Sequence, residues 1–496
     1  MKRRDFIRHA TVLGGSLAVP GFGFAAQRSN SLIIPQRLDG ISSAAGISYP
    51  LTVREGSMEF FPGKRTPTFG ISRDYLGPTL YLKRGDSVEM AVENTLNEQT
   101  TLHWHGLHVP AEADGGPAQI IDPGTTWRPS FEVQQRAGTF WYHSHLLHKT
   151  GEQVYRGLAG MIVIEDEESQ SLDLPKTYGV DDIPLIVQDR RFNDDGSFSY
   201  LQSHRDVMMG MFGDTVLVNG SLNPVFHPST RRVRLRLLNA ANARTFTFAF
   251  DDDRDFQLIA SDGGLLEAPH TCKTVVLAPS ERAEIVVEIS DSKPFKLISQ
   301  PLDSSSPFAM RGMMGRMHTG NASRFDILSI EPELSLEESP AVPTTLSQIP
   351  KLDPNEAVIT RRLELTMAMG MGMGMMRGRR QGSNSSFFIN GQAMDMQRID
   401  YRVKKDTTEI WEIVNDTMMM HPFHIHHSQF QILDRNGVPP APEEQGLKDT
   451  VKVGPGETVR FIMRFENFTD AEIPYMYHCH ILEHEDNGMM GQFTVE

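Results

Sequence analysis

Apolar and polar residues alternate with a period of two in short runs along most of the chain. The runs stop at Gly, Pro, Asn or Asp. Residues 79–82, 87–92, 161–165, 185–188, 232–238, 284–289, 408–414 and 458–465 are runs of this kind, and each predicts a strand. Helical periodicity is scarce. The pattern predicts an all-β chain of Greek-key sandwiches or barrels. Two stretches read as connectors. Residues 165–176 are acidic and Ser-rich; residues 331–355 are rich in Pro, Ser, Thr and Glu. They leave three sandwich-sized segments, 30–168, 180–332 and 355–496, and the 496-residue length suits three domains. No short tandem repeat is present. The first and third segments nevertheless both carry paired His-x-His motifs.

The N-terminus changes the picture of where the chain works. Lys2-Arg3-Arg4-Asp5-Phe6-Ile7-Arg8 precedes an apolar stretch, residues 10–24, and Gly23-Phe24-Ala25 places small residues where a signal peptidase needs them. This resembles a twin-arginine export signal, residues 1–25, cleaved near Ala25. Gly14, Gly15, Pro20, Gly21 and Gly23 interrupt the apolar run, so it is too short and broken to span a membrane. Export to the periplasm by the twin-arginine machinery is expected, with no membrane span and a monomeric product. The formal net charge of −15 repels polyanions, so nucleic acid is excluded as a partner.

Only two cysteines occur, Cys272 and Cys479. An exported protein can pair them, but Cys479 lies between two histidines in a setting that suits a metal. Cys272 is then expected to be a buried free thiol.

Four clusters carry the chemistry: His103-Trp104-His105, His143-Ser144-His145, His421-Pro422-Phe423-His424-Ile425-His426, and His478-Cys479-His480-Ile481-Leu482-Glu483-His484, the last continuing to Met489. Ten of the 18 histidines fall within them. On a strand, residues i and i+2 project to the same side. Each His-x-His therefore aims two imidazoles at one point, and four pairs offer more than one metal can take. Alternation also sends Cys479 away from His478 and His480, and puts His421 on the face opposite His424 and His426. His421, Cys479 and His484 with Met489 give two imidazoles, a thiolate and a thioether, the blue-copper set. Structural zinc would want closed four-ligand sites, and these donors do not divide that way.

In their order and spacing, the four motifs resemble those of the multicopper oxidase family. The resemblance runs from about residue 50 to the C-terminus. It implies three cupredoxin-like domains and four copper ions. His103 and His424 would hold a type 2 copper. His105, His143, His145, His426, His478 and His480 would hold a type 3 pair. His421, Cys479, His484 and Met489 would hold a type 1 copper. Asp114 and Glu485 match the family's proton-relay acids. A related division-associated family keeps the fold without the ligands, so the filled positions favour an oxidase.

The export signal and a Met-rich segment resemble the bacterial copper-efflux (cuprous) oxidases. Residues 366–380 contain Met367, Met369, Met371, Met373, Met375 and Met376, mostly separated by Gly. Thioethers select Cu(I), and a Gly-interleaved run has little to pack against. Met367, Met419 and Asp416 are candidates for a Cu(I) substrate site. Further methionines cluster at Met208, Met209 and Met211, and at Met310, Met313, Met314 and Met317. The expected reaction is one-electron oxidation of Cu(I), and of phenolic donors, coupled to reduction of dioxygen to water. A laccase-like phenol oxidase and a non-catalytic copper-binding envelope protein are the alternatives. A copper nitrite reductase would not need eight cluster histidines. His108, His148 and His427 adjoin the motifs and read as supporting or surface groups.

Overall fold

The computed structural model describes residues 30–44, 46–303, 305–309, 323–368 and 385–496. The export signal and most of the Met-rich segment lie outside these residues. So do Met310, Met313, Met314 and Met317.

Each predicted run is a strand, usually one or two residues longer than its alternation suggested. The strand Thr458–Phe465 shows why. Val459, Phe461, Met463 and Phe465 are buried in one core, Thr458, Arg460 and Arg464, which alternate with them, are less enclosed, and Ile462 is buried outside that core. A flat apolar stripe of this kind must be covered by a second sheet.

The strands form three pairs of sheets, each enclosing its own apolar core. The first pair contains Gly46–Phe61 and Ser87–Asn94 in one sheet. Its other sheet runs Arg37–Leu38, Thr79–Lys83, Ala159–Glu165, β2 (Gly138–His143) and β1 (His103–His105). Tyr49, Leu51, Val92, Phe140 and Ile162 meet between them. The second pair contains Asp182–Arg190, Arg232–Asn239 and β3 (Arg282–Glu288), facing the sheet built on Phe246–Phe250 and Phe295–Gln300. The third pair sets Ala357–Met367, Thr407–Asn415 and Thr458–Phe465 against β4 (His421–Ile425), β5 (Thr450–Val453) and β6 (Asp470–Cys479). Trp411, Phe423, Phe461, Tyr477 and Phe493 fill that core. The chain is all-β apart from short helices, as the pattern predicts.

Two details differ from the sequence reading. Asn30–Ser31 pairs with Pro224–Phe226, so the first described strand joins the second sheet pair and not the first. The 165–176 connector contains a helix, Glu167–Ser171, capped by reciprocal hydrogen bonds between Asp166 and Ser169. Among the described residues, no helix is long and apolar enough to cross a membrane.

Candidate metal centre

β1 and β2 are buried on both faces, and alternation gives each face a different task. Trp104, Phe140 and Tyr142 enter the core of the first sandwich. His103, His105 and His143 leave on the other side, with His103 registered opposite His143. The third sandwich repeats the device. Phe423, Ile425, Tyr475 and Tyr477 enter its core, while His424 and His478 are paired on the opposite face. The two histidine-bearing faces meet, and eight imidazoles converge. His143 Nε2 lies 3.4 Å from His105 Nδ1. His478 Nε2 lies 3.2 Å from His145 Nε2 and 3.3 Å from His426 Nε2. The His105 and His424 rings stack at 3.7 Å, and those of His103 and His426 at 4.0 Å. Three subsets have donor atoms close enough to share an ion: His103–His105–His424, His105–His143–His480 and His145–His426–His478.

Seven of the eight rings are turned by a partner behind them; His480 has none. His103 Nδ1 contacts the Asp114 carbonyl at 2.8 Å, His424 Nδ1 the Asp449 carbonyl at 2.7 Å, and His143 Nδ1 the Ser144 carbonyl at 2.8 Å. His426 Nδ1 meets the Asp114 carboxylate at 2.7 Å. Glu485 bridges His145 Nδ1 at 3.2 Å and His478 Nδ1 at 3.1 Å. Carbonyl and carboxylate acceptors hold the ring proton on Nδ1 and leave Nε2 as the inward lone pair. His105 is reversed: its Nε2 faces the Asp449 carboxylate at 3.2 Å and its Nδ1 faces the cluster.

The donor set fits metal ions. Burial pushes His103, His105, His143, His145, His424, His426 and His480 below the usual imidazole range, so the rings are neutral and ligand-ready. His103 Nε2, His424 Nε2 and both ring nitrogens of His480 are buried without a hydrogen-bond partner. An orphan of this kind costs roughly 1–3 kcal/mol, and a metal at the centre removes that cost. Burial raises the Asp114 carboxyl; burial also opposes ionisation of Glu485, but His145 and His478 outweigh it and hold that carboxyl well below its usual range.

Cys479 occupies the other face of β6. It lies in the third core, with His421 Nδ1 at 3.3 Å and His484 Nδ1 at 3.8 Å; the two nitrogens are 3.4 Å apart. The helix α1 (Leu482–Asp486) begins two residues after His480 and folds His484 back onto the sulfur. Met489 is buried in the same core, and its backbone bonds to Cys479 and His484. Burial lowers His421 to about 3 and pushes the Cys479 thiol up, so ionising the sulfur needs a cation beside it.

The substrate-side candidates are less tightly gathered. Met419 is buried in the third core and Met367 is half-buried against it. Asp416 is exposed; its neighbour Thr417 reaches His421, with Oγ1 2.9 Å from Nε2. Met367 registers opposite Phe387, whose ring stacks on His484 at 4.1 Å. Met367, at the described start of the Met-rich segment, is therefore one strand pairing away from the ring that stacks on His484. The Met208 carbonyl lies 3.2 Å from His484 Nε2.

Cys272 corrects the expectation of a buried thiol: it is free but half-buried, at the end of an edge strand with a neighbour on one side only, packed against the rim of the second core. His108 and His427 are buried, their rings 4.7 Å apart. Sequence reasoning missed Asp449, Thr417 and Arg282. Asp449 had a faint signal, a lone acid at the head of the alternating run Thr450-Val451-Lys452-Val453.

Comparison with known proteins settles the family. Family models described as multicopper oxidase match residues 52–169, 174–310 and 368–496. The chain belongs to the multicopper oxidase family. It is 37% identical to the multicopper oxidase mco of Staphylococcus aureus over 476 residues, 95% of this chain and 94% of that protein. It is also 35% identical to the cell division protein FtsP of Escherichia coli over 496 residues, covering 100% of this chain and 99% of FtsP. The solved structure of a laccase-like multicopper oxidase, CueO of an Ochrobactrum species, superposes with a TM-score of 0.82 at 33% identity. That match covers 94% of this chain and 100% of the other. The three sandwiches are accordingly cupredoxin-type, and this multicopper oxidase is a copper-dependent oxidoreductase that delivers electrons from a reductant to dioxygen.

Proposed function

We propose that this multicopper oxidase is an exported cuprous oxidase serving copper tolerance. The observation that carries the proposal is the position of Cys479, with its sulfur against His421 and His484 and its strand neighbours His478 and His480 on the opposite face. His421, Cys479, His484 and Met489 would hold a type 1 copper. His103 and His424 would hold the type 2 ion, and His105, His143, His145, His426, His478 and His480 the type 3 pair. When bound, four coppers supply the one-electron redox chemistry. The Cys479 backbone joins the two sites covalently, giving electrons a path of two bonded residues.

The protein's part is to orient and to move protons. Four Cu(I), one dioxygen and four protons give four Cu(II) and two waters. Asp114 and Glu485, each in contact with cluster imidazoles, are placed to pass protons inward. On the donor side, Met367, Met419 and Asp416 are the proposed Cu(I) contacts. The start of the Met-rich segment at Met367, paired with the strand whose Phe387 stacks on His484, supports this choice of substrate. Export by the twin-arginine route to the periplasm, action as a monomer, and domain limits at 30–168, 180–332 and 355–496, with Asn30–Ser31 crossing to pair in the second sandwich, belong to the same proposal.

A laccase-like phenol oxidase is the second reading, favoured by likeness to an enzyme described with activity towards lignin model compounds. Deleting residues 367–380 separates the two. Loss of Cu(I) oxidation with phenol oxidation retained supports the cuprous oxidase. Unchanged cuprous kinetics overturn it.

A further inference from the structure

We propose that Arg282, from the second sandwich, is a positioning residue for the eight-imidazole cluster. It acts through Asp449, which holds His105 with Nδ1 towards the cluster. The inference rests on reading that cluster as the copper cage. The second sandwich contributes none of the candidate ligands, yet Arg282 at the start of its β3 strand stands directly behind them.

The guanidinium is fully buried and every N–H has an acceptor. Nε donates to the Thr139 carbonyl at 3.0 Å. Nη1 donates to the Ser280 carbonyl at 3.0 Å and to Asp449 Oδ1 at 2.7 Å. Nη2 donates to the Asp262 carbonyl at 2.9 Å and to Asp449 Oδ2 at 2.5 Å. A planar fork with all donors used has one orientation, so the carboxylate it grips has one orientation too. Asp449 Oδ1 then lies 3.2 Å from His105 Nε2 and 3.1 Å from the Thr450 hydroxyl. A carboxylate at Nε2 keeps the ring proton there and leaves Nδ1 as the donor atom.

The charges support the same assignment. Arg282, Lys448 and Lys452 face Asp449, Asp262 and Glu281 in one buried network. The network is neutral by itself, so it asks no charge of His105 or His424. Removing Arg282 leaves Asp449 buried without its fork, and the carboxylate no longer has a fixed aim. Ser280, whose carbonyl and hydroxyl both join this contact, sits at φ +73°. A serine held in the left-handed region marks a turn constrained by its surroundings.

The test uses the copper-loaded full chain and the variants Arg282→Lys, Asp449→Asn and Glu284→Gln. Glu284 sits in a neighbouring buried ion cluster with Arg234 and Arg236 and touches no cluster imidazole. Copper per chain, the blue thiolate band and the type 2 electron paramagnetic resonance signal are measured beside oxygen consumption. For Arg282→Lys and Asp449→Asn the blue band persists, the type 2 hyperfine splitting changes or cluster copper is lost, and turnover falls roughly 10- to 100-fold. Glu284→Gln keeps the wild-type copper count and type 2 signal. Arg282→Lys with full copper, an unaltered type 2 signal and turnover within about twofold of wild type overturns the role of Arg282 alone. Should Arg282→Lys fail to fold, Asp449→Asn is decided by the same criteria. A wild-type chain that takes up no copper overturns the cage reading and this inference together.

Discussion

The Cys479 sulfur lies 3.3 Å from His421 Nδ1 inside the third core, while His478, one residue earlier on β6, pairs with His424 towards the first sandwich. Replacing the sulfur and nothing else should separate electron entry from the inner cluster. Cys479→Ser is expected to abolish the blue band and turnover with any donor, while cluster copper is retained. Metal analysis and absorption spectra of the loaded variant check this. A variant that stays blue would remove Cys479 from the proposed path.

Asp114 Oδ2 meets His426 Nδ1 at 2.7 Å, and its backbone carbonyl receives His103. Asp114→Asn keeps the shape and the backbone contact but cannot cycle a proton. Turnover should fall by roughly 10²–10⁴-fold, with KM for the donor little changed. The reduced enzyme should be slow to regain its blue colour when mixed with oxygen. Asp114→Glu should recover part of the rate.

Gly115 holds Asp114 in place at φ +77°, where an added Cβ collides with the Leu102 carbonyl and approaches His103 Cα. Gly115→Ala carries both left-handed strain, about 1–3 kcal/mol, and that clash. A lower melting temperature and loss of cluster copper are expected. A variant with wild-type stability and copper content contradicts the steric argument.

Acid sensitivity should trace to the buried charges between sandwiches. Burial alone would raise Glu284, but Arg234 and Arg236 outweigh it and bring the carboxyl down to about 2 from an ordinary 4.5. A depressed carboxyl stabilises the fold at pH above its unfolded value, and that stabilisation fades as pH falls from about 4.5 towards 2. The size is of order 3 kcal/mol. Melting temperature should therefore drop steeply between about pH 4.5 and pH 2, and Glu284→Gln, already lower at pH 7, should show a shallower drop.

The metal chemistry was legible because it obeys strand alternation. His103 and His105 flank Trp104 on β1, and His478 precedes Cys479 at the end of β6 with His480 the next residue beyond it; once the strands are placed, the faces follow. The sandwiches were legible for the same reason, in runs such as 458–465. Asp449 and Arg282 escaped because their partnership spans 167 residues of chain and neither sits in a recurring pattern. Thr417 was passed over for the acidic Asp416, since chemistry suggested a charge where the turn presents a neutral hydroxyl to His421. The helix at Glu167–Ser171 was hidden within a composition that reads as linker.

The cluster draws four imidazoles from residues 103–145 and four from 424–480, on opposite flanks of one seam. Neither half is a metal trap by itself. On the proposed ligand set, a nascent or clipped chain that lacks its last strands would not hold the cluster ions, so loading would wait for closure of the whole molecule. Ions held by the proposed ligands would act as rivets: prising the terminal sandwiches apart would expel them, and metal content would become a gauge of an intact seam.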